Sequence, residues 1–210
     1  MGRGEGTRMK KRSLLPLMQW IPAVSPKLFE PTHLLPLVDV FEAIRRKEEK
    51  HVVCAVPPRH CKTVTLQHGI VWLMLDNPEL RVGYITYGQN YSEKRSREIR
   101  DLYIRVGGHI HPDAKSRRDW RTDVGEGGLW ATSPGGPITG EGFDLMVHDD
   151  IVKDRATAES AIDREKIWAW YLDTCFSRLE PGGSEISVGT RWHVDDFGGR
   201  LLNPGAGSDS

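Results

Sequence analysis

Ala55-Val56-Pro57-Pro58-Arg59-His60-Cys61-Lys62-Thr63 joins a short apolar segment to a helical pattern through a Lys-Thr pair. His51 to Val56 reads as a buried strand. Lys62 to Leu75 places apolar residues at Val64, Leu66, Ile70, Val71, Leu73 and Met74, dense enough for a helix packed on a sheet. The loop between them therefore sits at a helix N-terminus, where unpaired backbone N–H groups and the positive end of the helix dipole favour a polyphosphate. In the pattern G-x-x-x-x-G-K-[ST] the lysine reaches the β- and γ-phosphates and the hydroxyl binds Mg²⁺, roles open to Lys62 and Thr63. Val56 and Cys61 stand at the two glycine positions. Taken alone, the stretch also reads as a strand-to-helix turn with a surface lysine.

Phe143-Asp144-Leu145-Met146-Val147-His148-Asp149-Asp150 is an apolar run ending in two carboxylates, the shape of a Walker B strand. Adjacent side chains at a strand end point in opposite directions, so one acid can serve a metal and the other the attacking water. Asp149 is assigned to Mg²⁺ and Asp150 to the general base or water-positioning role. Two solvated acids in a turn are the competing reading of an isolated Asp-Asp.

The order of elements is that of a doubly wound sheet. A helix over 25–49, interrupted by Pro26, Pro31 and Pro36, precedes strand 51–56, helix 62–75, strand 81–86 and helix 89–106. A basic irregular segment runs to Gly128. Strand 129–132, a Gly-rich loop, the strand ending in Asp149-Asp150, helix 158–179 and strand 185–188 follow. This alternation predicts an α/β fold with a mostly parallel sheet, helices on both faces and ligand loops at the carboxyl ends of the strands.

The Lys62-Thr63 loop, then Gly135-Gly136-Pro137-Ile138-Thr139-Gly140-Glu141-Gly142 leading into Asp149-Asp150, then Gly189-Thr190-Arg191-Trp192-His193, together resemble the ATPase half of the large terminase subunit of tailed bacteriophages. The resemblance covers His33 to Leu202. It implies an additional-strand, RecA-like P-loop NTPase that hydrolyses ATP with Mg²⁺ to drive double-stranded DNA into a procapsid. It implies a nucleotide-binding segment of Pro58, Arg59, His60, Cys61, Lys62 and Thr63, with Arg59, Lys62 and Thr63 on phosphates and metal. Asp149 and Asp150 become the Walker B pair, and Thr190 with Arg191 the segment coupling hydrolysis to movement. A homo-oligomeric ring, a small terminase subunit, a portal protein and the host cytoplasm are implied as well. In such a ring an arginine in trans is expected from Arg95, Arg97 or Arg100, which share one helix. Two departures stand out: the family has Gly where Cys61 stands, and an aliphatic residue where His148 stands.

With 210 residues the chain suffices for one α/β core. The expected division is a basic tail over 1–24, the ATPase domain over 25–202 and a short end over 203–210, with no residues left for the family's nuclease domain. Lys and Arg total 29 against 29 Asp and Glu, so contact with DNA needs local patches. Lys94, Arg95, Arg97, Arg100 and Arg105 offer one, and Lys115, Arg117, Arg118 and Arg121 around Trp120 another; solvated charge is the alternative for both. Three cysteines form no disulfide framework, and His51, Cys54, His60 and Cys61 match no usual zinc spacing. No run is apolar for long enough to span a membrane. Trp168, Trp170, Tyr171 and Phe176 read as a core stripe, and a binding or assembly module without turnover is the alternative function.

Overall fold

The computed structural model describes residues 14–28, 32–138, 140 and 142–203, with only the backbone described at 114 and 115. The basic start at Arg3 to Arg12, Pro31, Thr139, Glu141, the Lys115 side chain and the 204–210 end lie outside the described residues.

Among the described residues seven strands form one sheet in the order β1-β7-β6-β2-β5-β4-β3. They are β1 (His51–Ala55), β2 (Arg81–Ile85), β3 (Ile110–Lys115), β4 (Asp119–Thr122), β5 (Gly128–Thr132), β6 (Phe143–Asp149) and β7 (Leu179–Gly189). The first five in spatial order pair in parallel, and β4 and β3 add antiparallel. The helices are α1 (Leu17–Val24), α2 (Leu35–Arg45), α3 (Lys62–Asp76), α4 (Gln89–Arg105), α5 (Arg155–Glu159), α6 (Ala161–Trp170) and α7 (Phe197–Leu202). Leu145 and Val147 enter a core shared with α1 to α4, whereas Met146 between them enters a second cluster with Ile167, Tyr171 and Phe197. Alternation along β6 thus sends its side chains to two apolar layers, and the fold is an α/β sheet with helices on both faces.

Four sequence expectations are corrected. The helix expected over 25–49 shortens to α2, entered through a 3-10 turn at Thr32–Leu34, and a separate helix, α1, precedes it: the chain turns at Pro26, and Pro36 sits in the first turn of α2, where its missing N–H has no partner to lose. Residues 17–24 are accordingly not tail. Leu17, Trp20 and Ile21 are buried, and the Trp72 indole donates to the Leu15 carbonyl at 2.9 Å. The basic segment before Gly128 contains the β3–β4 pair, and Trp120 is fully buried against Tyr103 and Ser96 instead of lying in a surface loop. The helix expected over 158–179 breaks at Ser160, whose hydroxyl caps α6, and then loosens through a π-turn at Tyr171–Cys175. Tyr171 and Cys175 are buried there, but Phe176 is 56% exposed and leaves the core stripe.

Gly69 marks where α2 crosses α3, since a Cβ there would lie 2.5 Å from the Phe41 ring. On the other layer, Asp195 accepts from Arg164 of α6 at 3.0 Å and from Arg200 of α7 at 2.8 Å. These guanidinium bonds, Arg200 first, hold its carboxyl down at about 2 from 3.8. A carboxyl held low stabilises the fold above its unfolded value and loses that contribution as pH falls through about 2. Asp195→Asn should therefore lower Tm at neutral pH, with the difference from the parent narrowing between about pH 4 and 2. A difference independent of pH in thermal melts would place its origin elsewhere. No helix among the described residues is long and apolar enough to cross a membrane.

Candidate functional site

Three loops leave the carboxyl ends of the adjacent strands β1, β7 and β6, and parallel pairing brings them to one edge of the sheet. Val56 prolongs β1, its N–H donating to the Gly189 carbonyl at 3.0 Å. The chain then turns through Arg59 (φ 65°) and Cys61 (φ 58°), and Cys61 is the left-handed residue from which α3 starts. That backbone explains why the phosphate-loop pattern has glycine at this position: only glycine takes such a φ without steric cost. The His60 imidazole lies 2.9 Å from the Pro58 carbonyl, and the His33 ring lies 3.0 Å from the His60 carbonyl. The start of α2 is thereby tied to the loop.

Lys62 points inward and is 7% exposed. Its ammonium donates to Asp150 Oδ1 at 2.7 Å and to Thr190 Oγ1 at 3.1 Å. Thr190 also donates its N–H to Asp150 Oδ1 at 3.2 Å and its hydroxyl to the Val56 carbonyl at 3.3 Å, so the third loop closes on the first two. Asp149 faces elsewhere. Fully buried, it accepts from Thr63 Oγ1 at 3.1 Å and from the Tyr84 hydroxyl at 2.6 Å. Burial, helped by the neighbouring Asp150 charge, outweighs those two bonds and raises its pKa above the ordinary carboxylate value. Asp150 turns away through a left-handed backbone (φ 51°), fixed by its N–H on the Val188 carbonyl. The two acids therefore have separate neighbours.

An open cleft of about 470 Å³ runs over this cluster, lined by Arg59, Lys62, Thr63, Asp150 and Thr190 and walled by Tyr87, Tyr91, Arg95 and Trp192. Pro58 and Cys61 also reach it, whereas Arg191 is directed away. The Arg191 guanidinium binds Asp196 at 2.8 Å and the His193 and Val194 carbonyls, and Asp196 in turn caps α7 through the Gly199 N–H. Thr190 and Arg191 thus connect the cleft to α7 by one continuous path. Of the three arginines expected in trans, Arg95 lines its own chain's cleft, while Arg100 reaches the Ser116 carbonyl at the β3–β4 turn. In the second basic patch, Arg118 donates to the Pro137 carbonyl and Arg121 pairs with Glu126; Arg117 is exposed.

Sequence reasoning missed Tyr84 and Glu185. Tyr84 lies in β2, fully buried, and its only signal is a hydroxyl within an apolar strand. Glu185 explains the His148 departure: the buried imidazole lies 2.9 Å from Glu185 Oε1, and the Tyr171 hydroxyl donates to Oε2. Burial alone would raise the Glu185 pKa, but its bonds to His148 and Tyr171 leave it lowered. His148 and Glu185 thus form a buried polar pair between β6 and β7. Among the described residues no group of three or more His, Cys, Asp or Glu is placed to hold a metal by itself. The hydroxyl of Thr63, which lines the cleft, and Oδ1 of Asp149, buried directly behind it, are paired hard oxygens, a donor type suited to Mg²⁺, which takes its remaining ligands from phosphates and water.

No protein-family model matches this chain, and no curated protein matches it.

Proposed function

We propose that the chain is the ATP-hydrolysing motor domain of a phage terminase large subunit, acting on double-stranded DNA. The observation that carries this reading is the meeting of Lys62, Asp150 and Thr190, drawn from three separate loops, within hydrogen-bond distance of one another in a single cleft. β7 lies between β1 and β6, as an additional-strand P-loop arrangement needs. The motifs that resemble the terminase family supply the rest of the reading.

On this reading the triphosphate lies over the N-terminus of α3, with Lys62 exchanging Asp150 for phosphate oxygens. Thr63 and Asp149 would hold Mg²⁺, which neutralises charge on the β- and γ-phosphates. Asp150, released from Lys62 but still held by the Thr190 N–H, orients a water and accepts its proton as the water oxygen bonds to the γ-phosphorus. The bond from that phosphorus to the β–γ bridging oxygen breaks, and ADP leaves. Thr190 senses the change at Asp150, and Arg191 passes it to Asp196 and α7.

A second reading, nucleotide binding without turnover, is favoured by Arg59 and Cys61, two non-glycine residues in left-handed conformation inside the loop. Mg²⁺-dependent ATP hydrolysis measured with and without double-stranded DNA separates the two. Turnover stimulated by DNA supports the motor; binding without turnover supports the second reading; absence of binding ends both.

Cys61 gives an independent check. It is exposed at the cleft, whereas Cys54 is half-buried and Cys175 fully buried, and burial pushes both of those thiols up. An alkylating reagent should modify Cys61 first, and Mg-ATP should block the reaction. Cys61→Gly should keep or raise turnover and stabilise the fold by up to about 1 kcal/mol, since glycine relieves the left-handed strain. Peptide mapping that shows labelling indifferent to Mg-ATP would mean that this turn holds no phosphate.

A further inference from the structure

Arg95 is the one cleft-lining arginine on α4, and its surroundings are unlike those of a surface cation. Its guanidinium lies 4.5 Å from the Tyr91 ring centroid, donates to the Tyr91 hydroxyl, and donates to Glu98 Oε2 at 2.7 Å. The same Glu98 oxygen accepts from Gln67 Nε2 at 2.8 Å. Gln67 is buried on α3, one turn beyond Thr63 and so on the same face of that helix. A continuous path therefore runs from the phosphate-loop helix through Gln67 and Glu98 to Arg95, whose head group opens onto the cleft holding Lys62, Thr63 and Asp150. Nε of Arg95 is buried without a hydrogen-bond partner, so its guanidinium is incompletely satisfied where it stands.

We propose that Arg95 reads the terminal phosphate of a nucleoside triphosphate in its own chain's cleft, and that Glu98 holds it aside when that phosphate is missing. This rests on the nucleotide reading above and replaces the expectation of Arg95 acting in trans. Carboxylate and phosphate both match the guanidinium fork, so moving from Glu98 to phosphate exchanges one acidic partner for another. A diphosphate ends one group short and leaves Arg95 on Glu98. Release of Glu98 leaves Gln67 as its remaining partner on α3, which makes the α3–α4 contact sensitive to the presence of the third phosphate.

The test is calorimetric titration of the full chain with Mg-AMP-PNP, a non-hydrolysable triphosphate, and with Mg-ADP. Arg95→Ala should weaken AMP-PNP binding about ten- to a hundredfold, the scale of a charge-assisted hydrogen bond, and move ADP by less than about threefold. Arg95→Lys should recover only part of the loss, and Glu98→Gln should tighten AMP-PNP binding while leaving ADP unchanged. Equal weakening of both nucleotides by Arg95→Ala would mean a purely structural role and overturn the proposal, as would no change in either. Restored ATPase on mixing Arg95→Ala with Lys62→Ala protein would overturn the cis assignment. Should Arg95→Ala fail to fold in a thermal melt, Arg95→Lys carries the comparison: a loss confined to AMP-PNP supports the proposal and an equal loss on both sinks it. Failure of the parent chain to bind either nucleotide would remove the nucleotide reading itself, an outcome distinct from all of these.

Discussion

Lys62→Ala is expected to abolish turnover and to weaken Mg-ATP binding by about a hundredfold. The ammonium is the only cation in contact with both Asp150 and Thr190 among the described residues, and its stem is buried, so no neighbouring lysine can take its place. A hydrogen bond to a charged group contributes about 1.5–3 kcal/mol, or about ten- to a hundredfold in affinity. The substitution also strips Asp150 of its counter-ion. Asp150 keeps the Thr190 N–H and some solvent, so the fold should survive, and a thermal melt checks that it does. ATP affinity and rate unchanged in a folded Lys62→Ala protein would remove the phosphate-loop assignment.

Asp150→Asn should keep nucleotide binding but slow hydrolysis by about 10²-fold or more, the scale of a lost general base. Asp149→Asn should instead change the Mg²⁺ requirement, raising the concentration needed for half-maximal rate. The two acids are adjacent in sequence, but their contacts do not overlap. Asp149 is enclosed by Thr63 and Tyr84, and Asp150 by Lys62 and Thr190. An amide at 149 presents an NH₂ where one of two donors is aimed, whereas an amide at 150 still accepts but takes no proton. Identical behaviour of the two variants, in Mg²⁺ titrations of the rate, would contradict the division of roles.

The strand-to-helix turn at Lys62 and the strand ending at Asp149 were legible because each is local: a short apolar run, a turn and a chemical group within nine residues. Parallel order then placed their ends at one edge. The β3–β4 pair was not legible, because Asp119, Trp120, Arg121 and Thr122 alternate over only four residues and two of them carry charge. α1 was hidden by Pro16, Pro22 and Pro26, although its buried residues Leu17, Trp20 and Ile21 follow helical spacing. Tyr84 and Glu185 escaped for a different reason. Their partners Asp149 and His148 lie 65 and 37 residues away, and no local pattern records a side-chain bond across strands. Arg95 was recognised as a candidate, but which chain's cleft it faces depends on how α4 packs on α3.

The position of β1 at the sheet edge has a consequence for how the molecule is made. Among the described residues β1 pairs with β7 alone, and its register sets His51 against Glu185, 134 residues later (185 − 51). At synthesis rates of about 5–20 residues per second, β1 and the loop behind it leave the ribosome roughly 7–27 s before β7. During that interval α3 can pack on α2 and α4 and His33 can reach the His60 carbonyl, but the loop lacks its β7 anchors, because Val56 is held by Gly189 and Thr190. Closing so long a loop is also what slows folding of parallel sheets. Nascent chains arrested before Thr190 should therefore hold a formed α3 and no cleft, and ligand-dependent protection from proteolysis should appear only once β7 has emerged.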